Sequence, residues 1–175
     1  MDVFSNYARY YNLFYQDKNY QNEVDYVDLL LQKHASFSIK NILDLGCGTG
    51  KHDFLFSKKG YQVTGIDFAQ EMIEIANQTK KNLPNFNAEF QLGDIRNIRL
   101  NRLFDGVVSL FHVASYQSSN TDINEFFQTA KTHLKKNGCR DPTSSQFSLN
   151  NYLLGHELGR NIRFNAFQMT ISDSL

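Results

Sequence analysis

A glycine-rich loop between two acidic residues is the part of the sequence best suited to chemistry. The run Asp44-Leu45-Gly46-Cys47-Gly48-Thr49-Gly50 follows an apolar stretch and precedes a helical pattern, and Asp67 ends the next strand-like stretch. Glycine lets backbone approach a ligand closely, and the first turn of the following helix offers free N–H groups to an anion. A carboxylate at Asp67 can accept hydrogen bonds from ribose hydroxyls. Together these residues predict a site for a cofactor that contains adenosine.

The spacing of the glycines separates the candidate cofactors. A dinucleotide-binding loop reads G-x-G-x-x-G, whereas this loop reads G-x-G-x-G and has Lys51 where the last glycine would stand. A P-loop would need G-K-[ST], which does not occur here. A nicotinamide-dependent dehydrogenase is therefore the weakest alternative, and a tight turn without a ligand is the competing explanation for the glycines alone.

Alternating strand and helix patterns surround the loop. Short apolar runs predict strands, and apolar residues at helical spacing predict helices. The predicted strands cover 42–45, 61–67, 88–92 and 104–111, and the predicted helices cover 19–34, 51–59, 69–81 and 121–137. Asp122 and Glu125 open the last helix, Gly138 closes it, and Gly60 follows the helix at 51–59. This order predicts an α/β fold, Rossmann-like and doubly wound, with a mostly parallel sheet and helices on both faces.

Composition excludes several classes of function. The 175 residues suit one domain, and the 18 basic and 18 acidic side chains cancel, which argues against a nucleic-acid partner. No apolar run approaches the roughly 20 residues of a membrane span, and the first residues lack the pattern of a signal peptide. Cys47 and Cys139 alone make neither a disulfide framework nor a zinc site, so no metal is expected. We expect a cytoplasmic globular protein.

The motifs, taken in order, resemble those of class I S-adenosylmethionine-dependent methyltransferases. The matching stretches are 42–50, 65–67 with Met72, 92–95 and 104–108. The resemblance implies S-adenosyl-L-methionine as the cofactor, with its methionine part on Asp44, Gly46, Gly48 and Gly50 and its ribose on Asp67. It also implies that Phe68 and Met72 flank the adenine, that Asp94 and the Ile95 backbone read the ring edge, and that Phe111 borders the methionine chain.

Within that family the chain is most similar to N-methyltransferases of nucleotide-linked amino sugars and of glycine-type amines. The segment 110–116 lacks the Asn/Asp-Pro-Pro-Tyr/Phe run of amide and adenine methylases. The resemblance implies that an N-terminal helix carrying Tyr11 and Tyr15 covers the cofactor as a lid, and that Tyr116 faces the reacting centre. Tyr15, His112 and Tyr116 are the candidate catalytic residues. His112 titrates near neutral pH and could act as a base, although a histidine packed at a strand end is an equal alternative.

The predicted function is in-line methyl transfer to a small-molecule amine or hydroxyl. The pattern fails after Gly138: residues 140–175 contain no lysine, and Arg140, Asp141 and Pro142 oppose the strand that should follow the last helix. We expect a methyltransferase domain over 1–138, with its lid at 1–36, and an atypical tail over 139–175 that reflects truncation or a frameshift. The sheet would then lack its C-terminal strands and leave an open edge, through which dimers could form. The alternative function is a cofactor-binding or partner-binding remnant without catalysis.

Overall fold

The computed structural model describes residues 18–35, 37–83, 85–111 and 113–135. Its helices are α1 (Tyr20–His34), α2 (Lys51–Lys58), α3 (Gln70–Asn82) and α4 (Asn120–His133), with a 3₁₀ turn at Val113–Tyr116. Its strands are β1 (Asn41–Leu45), β2 (Gln62–Asp67), β3 (Ala88–Leu92) and β4 (Gly106–Val108). The predicted lid helix with Tyr11 and Tyr15, as well as His112 and the tail 139–175, lies outside the described residues.

The four strands form a parallel sheet in the order β3-β2-β1-β4. β1 is central, and its residues from Ile42 to Leu45 are buried, as expected for a strand covered on both faces. The register pairs Leu45 with Ile66 and Asp67 with Leu92, so the carboxyl ends of β1, β2 and β3 meet at one edge. The predicted α/β fold is therefore confirmed.

Two apolar cores form because successive residues of a strand point to opposite faces. On one face Ile42 and Val63 pack with Val24, Val27 and Leu31 of α1 and with Phe56 of α2. On the other face Leu43, Leu45, Ile66 and Val107 pack with Phe126 and Ala130 of α4. Helices cover both faces, and the glycine loop is held between two well-packed layers.

Side-chain caps begin α1 and α4, whereas α2 and α3 begin at Gly50 and Ala69 without one. Asn19 accepts the Asn22 N–H at 3.0 Å at the start of α1, and Gly60, with φ of 95°, ends α2 as predicted. The predicted capping of the last helix by Asp122 and Glu125 is wrong, since Ser119 is the N-cap and accepts the Asp122 N–H at 3.1 Å. Asp122 instead occupies the N3 position of a capping box.

The predicted C-terminal end of that helix is also wrong. α4 ends at His133, four residues before the predicted position 137, because Leu134 leaves the helix and forms a parallel bridge with Phe104. The Lys135 N–H donates to the Phe104 carbonyl at 2.9 Å, and the Lys135 ammonium lies 2.8 Å from Asp105 Oδ1. Pairing beyond β4 thus begins at Leu134, ahead of the poor strand sequence at 140–142. This contact is one isolated bridge, and among the described residues β4 pairs as a strand only with β1.

β4 is shorter than its predicted range of 104–111, since it ends at Val108. Three residues on, Phe111 has φ of 58°, a left-handed conformation that turns the chain away from the sheet. Among the described residues no helix is both long and apolar enough to span a membrane.

Candidate cofactor site

The glycine loop joins β1 to α2 and is fixed to β2. The N–H groups of Gly46 and Cys47 both donate to the Ile66 carbonyl, at 2.7 and 3.0 Å. All three glycines have positive φ, with values of 95° at Gly46, 55° at Gly48 and 77° at Gly50. The loop therefore adopts a backbone path that side chains with a Cβ rarely follow.

Gly46 and Gly48 serve different purposes. A Cβ at Gly46 would lie 2.4 Å from Val113 Cγ2, so this glycine allows the 3₁₀ turn after β4 to pack on the loop. A Cβ at Gly48 would meet no atom of the described residues within 4 Å. Gly48 therefore presents bare backbone to open space, as a loop that cradles a ligand should.

Asp67 ties the loop to the end of β2. Its Oδ2 accepts the Gly48 N–H at 2.9 Å and its Oδ1 accepts the Ala69 N–H at 2.9 Å. The side chain is nearly buried, and burial raises the pKa of this carboxyl even though these backbone hydrogen bonds oppose the rise. The predicted ribose acid thus stands where β2 meets the glycine loop, and its contact with ribose stays a prediction.

A pair of buried acids lies beneath the loop, and only one of them was singled out from the sequence. Asp44, at the end of β1, is 1% exposed, and Asp53, in the first turn of α2, is fully buried. The two carboxyl groups are close enough to hydrogen-bond once one of them carries a proton. Oδ1 of Asp44 and both oxygens of Asp53 accept no hydrogen bond from a donor among the described residues. Burial, reinforced by the neighbouring acid, raises the pKa of Asp44, and burial raises the pKa of Asp53 to about 7.

Exposed apolar side chains border the loop on the β2–β3 side. Phe68 is 66% exposed and Leu92 is 46% exposed, directly after and directly opposite Asp67. Met72 and Ile95, which the resemblance placed beside the adenine, have buried side chains. Phe68 and Leu92 thus offer a flat ring an apolar surface, and Leu92 is a candidate that the sequence analysis did not name.

Asp94 is held by Arg96. Nη2 of Arg96 lies 2.6 Å from Asp94 Oδ2, and its Nη1 lies 2.8 Å from Asp122 Oδ1 on α4. The hydrogen bonds from Arg96 outweigh partial burial and lower the pKa of Asp94. The predicted bond from Asp94 to an adenine amino group would share this carboxylate with the arginine.

A cation already lies on the ring of Phe111. The Lys18 ammonium is 3.4 Å from the ring centroid, and it pairs with Glu23 at 3.0 Å. His52 Nε2 lies 2.7 Å from the same Glu23 carboxylate, and burial lowers the pKa values of both Lys18 and His52. The face of Phe111 therefore accepts cations, as its predicted place beside the cofactor requires. Sequence reasoning missed Lys18, because nothing in its local pattern shows that it folds back onto the end of β4.

The acceptor side is described only in part. Tyr116 closes the 3₁₀ turn after β4, and its side chain is 74% exposed. His112, Tyr11 and Tyr15 lie outside the described residues, so their predicted roles stay predictions. No group of three or more His, Cys, Asp or Glu residues in the described ranges could hold a metal ion.

Comparison with known proteins gives a family match that covers the glycine loop, the four strands and α4. The family described as "Methyltransferase domain" matches residues 42–138. A curated relative from Streptomyces venezuelae, dTDP-3-amino-3,4,6-trideoxy-alpha-D-glucopyranose N,N-dimethyltransferase, is 32% identical over 135 residues, which cover 75% of this chain and 54% of that protein.

Solved structures of methyltransferases match the chain as well. The crystal structure of Streptomyces venezuelae DesVI matches with a TM-score of 0.64 and 29% identity, over 74% of this chain and 53% of that one. SAM-bound CalS10, an amino pentose methyltransferase from Micromonospora echinaspora, matches with a TM-score of 0.62 and 26% identity, over 71% of this chain and 51% of that one. The chain thus spans about half the length of these relatives.

Proposed function

This chain belongs to the methyltransferase domain family, and from that premise we propose that it transfers a methyl group from S-adenosyl-L-methionine to a small-molecule amine. One observation carries the proposal. The loop that begins after buried Asp44 brings the Gly48 backbone, which faces open space within the described residues, to Asp67 Oδ2 at 2.9 Å, and exposed Phe68 follows Asp67. The acceptor oxygens of the acids fit an ammonium and a ribose, and the exposed ring of Phe68 fits an aromatic ring, which are the polar and flat parts of the cofactor.

In this mechanism the chain's own residues bind the cofactor and orient it towards the acceptor. When bound, the cofactor supplies an electrophilic methyl group on a sulfonium. Asp67 is assigned to the ribose, the Asp44 side to the methionine ammonium and Phe68 with Leu92 to the adenine. The face of Phe111 attracts the cationic end. Because the reaction is an in-line displacement, holding both partners in position can supply roughly 7–11 kcal/mol of the barrier reduction.

The acceptor nitrogen must be uncharged when it attacks. We assign the removal of its proton to His112 or Tyr116, which come four and eight residues after the end of β4 in the sequence, and a role beside the reacting centre to Tyr15 and Tyr11. Nucleotide-linked amino sugars are the first acceptors to test, because the relatives named above are methyltransferases of a dTDP-amino sugar and of an amino pentose. A hydroxyl acceptor is the second class.

The test has two stages on the purified 175-residue chain. Calorimetric titration with S-adenosylhomocysteine should show saturable binding with a dissociation constant in the micromolar range. Incubation with methyl-labelled S-adenosylmethionine and a panel of dTDP-amino sugars, glycine-type amines and hydroxy analogues should then label an amine. Asp25→Asn, a change of an exposed acid on α1, is the matched control and should do both.

The outcomes separate binding from catalysis. Binding without label on any acceptor would overturn the enzymatic proposal and favour a cofactor-binding module. No binding by a chain whose circular dichroism shows it to be folded would overturn the cofactor as well.

A further inference from the structure

We propose that Asp53 is a second carboxylate of the cofactor site, which shares a proton with Asp44 and releases it to solvent when the α-ammonium of the cofactor's methionine part binds. The inference rests on the proposed cofactor and concerns how the site recognises the amino-acid end. Neither the glycine-loop pattern nor the acid that precedes it assigns a role to Asp53.

The first observation is where the two acids lie. Asp44 is the residue of β1 that leads into the glycine loop, and Asp53 lies in the first turn of the helix that leaves it. The two side chains are 1% and 0% exposed, yet three of their four oxygens have no hydrogen-bond donor other than the partner acid among the described residues. Buried carboxyl oxygens without donors are costly, so a protein that keeps them has a use for them.

The second observation is the sign of the surrounding charge. Asp67 at the end of β2 adds a third acid to the pair. The Cys47 thiol, also buried beside the acids, stays protonated because burial and the three acids raise its pKa. A positively charged ligand group would remove the repulsion, and no other kind of charge would.

The nearby cations of the protein are directed elsewhere. Lys51 and His52 precede Asp53 in the chain, but the Lys51 ammonium lies over the Tyr20 ring at 4.8 Å and His52 pairs with Glu23 at 2.7 Å. Lys18 pairs with the same Glu23 at 3.0 Å. None of the ion pairs within the described ranges involves Asp44 or Asp53. Without a ligand, a shared proton is therefore what removes one of the two negative charges and relieves the repulsion within the pair.

A primary ammonium can replace that proton. It carries three N–H donors and one positive charge, so it can satisfy the free oxygens while the proton leaves to water. The open space around Gly48, within the described residues, gives a ligand access to the loop that joins the strand carrying Asp44 to the helix carrying Asp53. A ligand that has the adenosine part but no ammonium gains nothing from this exchange.

The experiment measures S-adenosylhomocysteine affinity against pH. If one proton of a group titrating at about 7 must leave, the dissociation constant falls about eightfold between pH 6 and pH 7.5. 5′-Methylthioadenosine, which lacks the amino-acid end, is the reference ligand, because Asp67 and His52 also titrate near the site and act on both ligands. The eightfold change is expected in the ratio of the two affinities.

In the Asp53→Asn variant the ratio of the two affinities should change less than about twofold between pH 6 and pH 7.5. The reason is that the amide donates to Asp44 and leaves it ionised across this range. The variant should then bind S-adenosylhomocysteine at pH 6 at least as tightly as the unaltered chain does. Asp25→Asn should keep the eightfold change.

Proton release measured on the unaltered chain gives a test that does not depend on how well the variant folds. Titrations at pH 6 in two buffers of different ionisation enthalpy should show about 0.9 protons released per S-adenosylhomocysteine and almost none for 5′-methylthioadenosine. Tight binding of both ligands with no pH-dependent ratio and no released proton would overturn the role of Asp53 and leave the cofactor assignment intact. Failure of both ligands to bind would instead overturn the proposed function and this inference with it.

Discussion

Two groups of carboxylates at the same edge of the sheet have opposite surroundings. The inner group, Asp44, Asp53 and Asp67, surrounds the glycine loop and is buried without a cation. The outer group, Asp94 and Asp122, lies beyond β3 and is held by one arginine, Arg96. Burial raises the pKa values of the inner acids, whereas hydrogen bonds from partners lower those of the outer acids.

The difference teaches where a ligand is needed. The outer acids are already neutralised by the protein, so they hold the loop after β3 onto α4. Within the inner group, Asp44 and Asp53 have oxygens without a donor among the described residues in a place that water does not reach, which stabilises nothing in the free protein. Residue type alone would rank all five acids equally, and the partners distinguish them.

The largest expected effect is on ligand binding by the inner group. Asp67→Ala should weaken S-adenosylhomocysteine binding about 100-fold, because it removes a charged acceptor for ribose and the bond that holds Gly48 at 2.9 Å. Asp122→Asn, the matched change in the outer group, should alter binding less than about twofold. Calorimetry on both variants measures this, and equal losses would abolish the distinction between the two groups.

The sequence was sufficient to predict the parts of the molecule that depend on local pattern. The strands, the parallel order and the glycine loop follow from apolar runs and glycine spacing, and Asp67 follows from its place at a strand end. Asp53 could not be found this way, since a helix-start acid usually faces solvent, where it favours the helix dipole. Only the packing of α2 on the sheet shows that its carboxyl points inward to Asp44.

Element ends that depend on tertiary contacts were also missed. The apolar spacing of α4 continues to Leu134, but the bridge to Phe104 takes that residue out of the helix. β4 was predicted too long because Ser109, Leu110 and Phe111 are suitable strand residues. The left-handed conformation at Phe111 goes against the preference of its residue type, so no local pattern shows where the strand ends.

The second prediction concerns how the buried pair of Asp44 and Asp53 affects the stability of the folded protein. The pKa of Asp53 is raised to about 7 in the folded protein and is about 3.9 when unfolded. The folded form therefore binds the extra proton, and the stability contributed by this group is complete below pH 4 and lost as pH rises through about 7. Asp53→Asn should raise the free energy of unfolding at pH 7.5 by on the order of 2 kcal/mol and by much less at pH 5.

Urea unfolding of the ligand-free protein at both pH values measures this effect. Asp122→Asn serves as the comparison and should have the opposite sign at pH 7.5, because that acid is stabilised in its ionised form. A variant of Asp53 that loses stability equally at pH 5 and pH 7.5 would show that the buried pair is an ordinary structural contact.

The smallest effect belongs to the outer group. Arg96→Gln removes the link between Asp94 and Asp122, but the arginine is exposed, so water and salt already screen the pair. The melting temperature at pH 7.5 should fall by roughly 2 °C or less. The fall should vanish at about 1 M salt and as pH drops through the lowered pKa of Asp94, where the ionised form is lost. A large loss that resists salt would mean that Arg96 positions the loop after β3 by packing, and that the outer acids matter to the site after all.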